Sequence, residues 1–140
     1  MEIYNPSTER SSEGVVLTTR SPRALVIDDD RYVLSLLCDL LGSWGYDVDG
    51  VNSPAEGLRR FQAAPYDVIV TDLTMPGVSG IDVVTRIRDE NRTVAVILFT
   101  ASIGDLDDAR DRLQFTLLRK PLEIETLRRA VREAMARRLV

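Results

Sequence analysis

The chain has 140 residues, of which 44% are hydrophobic and 29% charged, and it carries a formal net charge of −4. That length suffices for one domain with a real core, while the longest apolar run, Val94 to Phe99, is too short to cross a bilayer. Histidine is absent and cysteine occurs once, as Cys38, which excludes Ser-His-Asp and Cys-His catalysis, His-ligated zinc and an internal disulfide.

Residues 1–22 are rich in Ser, Thr, Glu and Asn and show no sustained period, so a flexible N-terminal tail is expected there, with one folded domain over residues 23–140. Ala24-Leu25-Val26-Ile27 predicts a strand buried on both faces, ending at Asp28-Asp29-Asp30. Val33, Leu34, Leu36, Leu37, Leu40 and Leu41 follow at helical spacing, with Gly42 as the expected stop. Cys38 lies on that stripe and is expected to be a core thiol. Tyr46-Asp47-Val48-Asp49 alternates and predicts an edge strand. Trp44 and Tyr46 are expected to pack near the rim opposite the acids. Ser53-Pro54-Ala55-Glu56 is a capping box with Pro at the first helical position, and Leu58 and Phe61 are the buried side of the helix it opens.

Val68-Ile69-Val70 predicts a second buried strand, ending at Asp72. Residues 74–80 form a loop by their Pro and Gly content, and Ile81, Val84 and Ile87 mark a third helix. Val94 to Phe99 is a strand ending at Thr100, and Ile103 to Leu113 a weak, acid-rich helix. Phe115 to Leu118 is a last strand before Lys120-Pro121. Ile124, Leu127, Val131, Ala134 and Met135 pattern the last helix. Five strand–helix units in a row imply an α/β fold, a doubly wound parallel sheet with right-handed crossovers in the order 2-1-3-4-5.

Ligands bind such sheets outside the carboxyl ends of the strands. The groups expected at that rim are Asp28, Asp29, Asp30, Asp72, Thr100 and Lys120. Asp30 is also a natural helix N-cap, and Asn52-Ser53 fits a cap better than a site. Asp28, Asp29 and Asp72 should converge, because their strands are neighbours. At an effective dielectric near 20, two like charges about 4 Å apart cost about 4 kcal/mol, so a proton or a cation must relieve them. An all-oxygen acidic cluster suits Mg²⁺, or alternatively Mn²⁺, and Mg²⁺ commonly bridges to phosphate. Lys120 is the single Lys among 18 basic residues. A compact ammonium suits a tight anion site that a guanidinium would overfill.

Leu25 to Asp30, Asp67 to Gly80, Leu98-Phe99-Thr100-Ala101 and Lys120-Pro121 together resemble the receiver domain of two-component response regulators, over about residues 23–138. The resemblance implies a flavodoxin-like three-layer sandwich with a chemotaxis-regulator-like fold. It implies that Asp72 is the phosphoacceptor and that Asp29 and Asp72 ligate Mg²⁺, with Asp28 acting through water and the Thr74 backbone carbonyl as a further ligand. Lys120 would pair with the acceptor and its phosphoryl oxygens, Thr100 would respond to the phosphoryl group, and Ala101 would keep the pocket mouth open. Thr74 and Ser102 stand where the family tunes the lifetime of the mark. The implied donor is a phosphohistidine on a sensor histidine kinase or phosphotransfer protein, which must be another molecule or domain. The output would be a conformational change read by a downstream protein target, in a cytoplasmic setting with no membrane contact.

Two positions depart from the family pattern. Leu117 replaces the usual aromatic three residues before Lys120, with Phe115 as the nearby aromatic on the same strand face, and Leu113-Gln114 replaces a small Gly-Ala segment. Signalling through the face of helix four, strand five and helix five is therefore expected to be unusual. Residues 119–138 carry seven basic residues against three acidic, a net of +4 on an acidic body. That helix suits an acidic partner, a homodimer through the same face, or simple solvation. The chain stops soon after it with no output domain in cis, so either a stand-alone receiver acting by protein contact or a piece of a longer protein is expected. The lack of a recognition-helix module and the net negative charge give no expectation of direct DNA binding. Two alternatives stand beside this. A haloacid-dehalogenase-type phosphatase shares the Asp, Mg²⁺ and Lys but wants a second acid where Thr74 stands. A receiver used only as an unphosphorylated docking module needs no chemistry at all.

Overall fold

Strands buried on both faces need helices on both sides, and the chain supplies them in strict alternation. A computed structural model describes residues 8–10, 16–18, 20–102 and 104–138. The elements are β1 (Arg23–Ile27), α1 (Arg31–Ser43), β2 (Asp47–Val51), α2 (Pro54–Ala63), β3 (Val68–Asp72), α3 (Gly80–Glu90), β4 (Ala95–Thr100), α4 (Asp107–Leu113), β5 (Thr116–Arg119) and α5 (Ile124–Arg137). All four strand pairings in this sheet are parallel, in the order β2-β1-β3-β4-β5, which is the doubly wound flavodoxin-like arrangement. Within the expected tail, Thr8–Arg10 pairs antiparallel with Val16–Thr18. Most of the remaining tail, and Ile103, lie outside the described residues.

The period of two along each central strand divides the core into two layers. Leu25, Ile27, Ile69, Val96 and Leu98 face Phe61 of α2, Val83, Val84 and Ile87 of α3 and Leu113 of α4. Ala24, Val26, Val68, Val70, Ile97 and Phe99 face Leu37 and Leu41 of α1 and Leu127, Val131 and Ala134 of α5. The edge strands β2 and β5 are only partly buried. Trp44 and Tyr46 pack against the second layer, and the Arg128 guanidinium lies 5.7 Å from the Trp44 ring centroid. Cys38 is half-buried beside the same layer. Its Sγ lies so close to Gly50 that a Cβ there would approach to 2.5 Å.

Several boundaries differ from the sequence expectation. Helix α1 runs through Gly42, and the chain reverses at Gly45 (φ 97°), where a left-handed backbone is required. Residues 74–80 contain a tight hairpin, Thr74–Met75 against Val78–Ser79, turned at Pro76-Gly77 with Gly77 at φ 79°. Helix α4 begins at Asp107 rather than near Ile103, after a turn in which Asp105 accepts from the Asp107 amide. It ends at Gln114, a left-handed residue (φ 58°). Phe115 precedes β5, level with Val96, and is buried in the α2–α4 layer. Thr100 lies four rungs further along, about 13 Å at strand rise, so Phe115 cannot stand in for an aromatic at position 117.

Arg88 pins the base of this layer. It is 6% exposed and donates to the carbonyls of Leu113 (2.7 Å), Gln114 (2.9 Å) and Asn91 (3.2 Å). Those carbonyls lie at the negative ends of α3 and α4. At the other end of α3, Gly80 touches the main chain of β3: a Cβ there would come within 2.3 Å of the Asp72 carbonyl and 2.8 Å of Leu73 Cα. Backbone must move to admit a methyl, so Gly80→Ala is expected to destabilise the fold by about 1–3 kcal/mol. A lowered urea midpoint with an unchanged slope checks it, and an unchanged midpoint would contradict the close approach.

Candidate functional site

The register decides which side chains meet at the carboxyl rim. Ile27 pairs with Thr71, so Asp28, the first residue past β1, stands beside Asp72, the last residue of β3. One carboxylate oxygen from each of Asp28, Asp29 and Asp72 lies within 4.8 Å of the others. Asp28 is fully buried, Asp72 is 5% exposed and Asp29 is open to solvent. Asp30 points elsewhere: its carboxylate caps α1, accepting from the amides of Tyr32 (2.9 Å) and Val33 (3.3 Å). Ser53 likewise caps α2 through the Glu56 amide at 3.2 Å.

Lys120, just past β5, reaches across β4 to Asp72. Its Nζ lies 3.2 Å from Asp72 Oδ2 and 5.3 Å from the centroid of the buried Phe99 ring. The other oxygen of Asp72, Oδ1, accepts from the Thr74 amide at 3.3 Å, so the main chain of residue 74 borders the cluster. Thr100 ends β4 at the same rim, and its hydroxyl accepts from the Ser102 amide at 2.8 Å. Among the described residues no hydrogen bond joins Thr100 to the acids.

One ammonium therefore faces three carboxylates. Asp28 Oδ1 accepts from the Asp30 amide at 2.8 Å, but Asp28 Oδ2 is buried with no hydrogen-bond partner. Burial is the main force raising the Asp28 pKa. The Asp30 amide opposes it and the Asp72 carboxylate adds to it, and the result is about 6 instead of 3.8. An unpartnered buried oxygen in an all-oxygen acidic cluster fits a hard divalent cation, which would satisfy that oxygen and offset the repulsion.

Fold and rim together define the class: the chain belongs to the response regulator receiver domain family, whose model matches residues 24–132. It is thus a signalling domain of two-component response regulators. It is 34% identical over 113 residues to the transcriptional regulatory protein GlrR of Escherichia coli strain K12, covering 79% of this chain and 26% of that protein. It is 35% identical over 127 residues to the virulence sensor protein BvgS of Bordetella pertussis, covering 84% of this chain and 10% of that protein. The chain spans about a quarter or less of the length of these relatives. Among solved structures, a response regulator receiver domain protein from Clostridium thermocellum superposes with a TM-score of 0.74 at 36% identity, covering 83% of this chain and 95% of that one. The response regulator protein TrrA of Thermotoga maritima, in complex with Mg(2+)-BeF, superposes with a TM-score of 0.74 at 29% identity, covering 81% and 98%. Among the described residues no helix is long and apolar enough to cross a membrane.

Two residues that shape the site carry only faint sequence signals. Gly80 reads as one more loop glycine, yet it lets α3 start against the main chain of Asp72. Arg119 reads as a surface charge, yet its guanidinium donates to the carbonyls of Ser102 and Gly104 and ties down the loop after Thr100. The one available hint was its position beside Lys120 at a strand end.

The raised Asp28 pKa has a definite stability signature. The folded chain favours the protonated carboxyl, so this contribution is complete below pH 4 and is lost as pH rises through 6. Without divalent ions, Asp28→Asn is expected to be more stable than the parent at pH 8, by no more than about 3 kcal/mol. That advantage should vanish by pH 4. Thermal unfolding of both proteins in EDTA across this range checks it, and a pH-independent difference would contradict the assignment.

Proposed function

We propose that Asp72 accepts a phosphoryl group and that the chain signals through the change this causes. The observation that carries the proposal is the nearly buried Asp72 carboxylate, paired with Lys120 on one oxygen and flanked by the partnerless oxygen of Asp28. Transfer from a phosphohistidine breaks its P–N bond and forms a P–O bond to an Asp72 carboxylate oxygen, and the donor imidazole leaves neutral once protonated. The transition state is loose, so positioning and charge neutralisation are the protein's main tasks. Lys120 supplies one positive charge to the phosphoryl oxygens. Asp28, Asp29, Asp72 and the Thr74 carbonyl would hold Mg²⁺ or Mn²⁺, which neutralises phosphoryl charge when bound. The Thr100 hydroxyl, now accepting from Ser102, keeps its own proton free to donate to a phosphoryl oxygen. The acyl phosphate hydrolyses, so the mark is temporary.

The chain contains no histidine, so the donor is a sensor histidine kinase or phosphotransfer protein acting from another molecule or domain, in the cytoplasm. The output is a population shift toward a surface that a downstream protein or a second copy recognises, on the face of α4, β5 and α5. Leu117 on β5 is half-buried against the α2–α4 layer, so this switch operates without a ring at that position. The net negative charge argues against direct contact with DNA by this domain.

Intact-mass measurement after incubation with acetyl phosphate and Mg²⁺ tests the proposal. One labile phosphoryl adduct is expected, absent in Asp72→Asn and formed about 100-fold more slowly in Lys120→Met. No adduct on the parent chain would leave only a docking module, and steady turnover of phosphate esters would indicate a phosphatase.

A further inference from the structure

The end of the sheet opposite the acids holds a second polar feature. A cavity of about 250 Å³ opens between the last turn of α3, the start of β4, the residues leading into β5 and the end of α5. Four of its lining residues are arginines, Arg88, Arg92, Arg137 and Arg138, and none is acidic. Thr93 and Thr116 add hydroxyls. This cavity lies about five strand residues, roughly 16 Å, from the acidic rim, so the two sites are distinct.

The neighbours of each arginine set what is left over for a ligand. Arg138 is paired with Asp67 at 3.0 Å. Arg137 donates to Thr116 Oγ1 at 2.8 Å and has no ion pair among the described residues. Arg92 is exposed and likewise makes no ion pair among them. Arg88 is the telling residue. Buried guanidinium groups ordinarily meet a carboxylate, whereas this one meets three carbonyls, and the charge beside it is Arg92, of the same sign. The carbonyl partners answer three of its five N–H donors and part of its charge, through the ends of α3 and α4. They do nothing for Arg92 or Arg137. A cavity with this excess of positive charge and forked donors fits an anion. Its volume lies below the roughly 300–1,000 Å³ of ordinary organic-ligand pockets, which limits the part that enters to a small group.

We propose that this cavity binds a small, multiply charged oxyanion of the diphosphate class, held by Arg92 and Arg137 with Arg88 at its floor. The anion is either free diphosphate or the terminal phosphates of a nucleotide whose base remains outside. Binding at the base of β4 is independent of the Asp72 site.

Isothermal titration of the full chain with pyrophosphate and with ADP, in EDTA at low ionic strength, tests this. The chelator removes divalent ions, and without them the acidic rim repels anions. Saturable one-site binding is expected, weakened at least about tenfold in the double variant R92Q/R137Q and unchanged in D72N. Matching circular dichroism spectra and melting temperatures of the unliganded proteins establish that the double variant is folded. Binding of ADP at least as tight as that of pyrophosphate shows that the cavity accepts the terminal phosphates of a nucleotide, and binding of pyrophosphate alone identifies the free ion. Absence of saturable binding at millimolar pyrophosphate, equal binding by R92Q/R137Q, or loss of binding in D72N would each overturn the proposal.

Discussion

Repulsion between carboxylates at the ends of two adjacent parallel strands is the constraint on which the rest of this molecule turns. The register of β1 on β3 leaves no choice: Asp28 and Asp72 must emerge side by side. Both are almost completely removed from solvent, so their mutual cost is far larger than it would be on an open surface. The protein answers with one ammonium, the Asp30 and Thr74 amides, and a partial retreat of Asp28 toward its protonated form. Asp28 Oδ2 is left without an answer. An arrangement that a stable core would avoid is tolerable only because the surrounding sheet is apolar on both faces and overdetermines the strand positions.

The two core layers divide the labour of holding this arrangement. Phe99, from the α1–α5 layer, places its ring beneath the Lys120 ammonium. On the other side, α3 starts against the main chain of Asp72 through Gly80, and Ser79 caps that helix by accepting from the Ile81 amide. The Asp72 carboxylate is thereby fixed by strand pairing, by helix docking and by an ion pair, three constraints of independent origin.

Much of this is legible in the sequence itself. Runs such as Ala24–Ile27 and Val94–Phe99 are short, apolar at consecutive positions and rich in β-branched residues, the pattern of a strand covered on both faces, and the alternation at Tyr46–Asp49 marks an edge, so the sheet and its order followed. The polar residues ending those runs then had to share a rim. The less legible parts depend on contacts between distant segments. That α1 runs past Gly42 and the chain reverses at Gly45 depends on which glycine takes a positive φ, and composition does not distinguish them. Arg88 interrupts the apolar stripe of α3 directly after Ile87, yet its carbonyl partners lie across a helix and a loop. Phe115 stands only two residues from Leu117 in the chain, but strand rise carries it well away from Thr100, toward the other end of the sheet.

The Arg119 contacts give the pocket walls of different stiffness. Beyond its own short-range turns, the described part of the loop after β4 is hydrogen-bonded to another element through that one exposed guanidinium, at the carbonyls of Ser102 and Gly104. Water can replace such bonds at small cost, whereas nothing can replace the packing behind Asp28 and Asp72. The acidic wall is thus an anvil and the hydroxyl wall a hinged plate. The compliant side of the pocket is therefore the one that runs from Thr100 toward α4 and the end of β5.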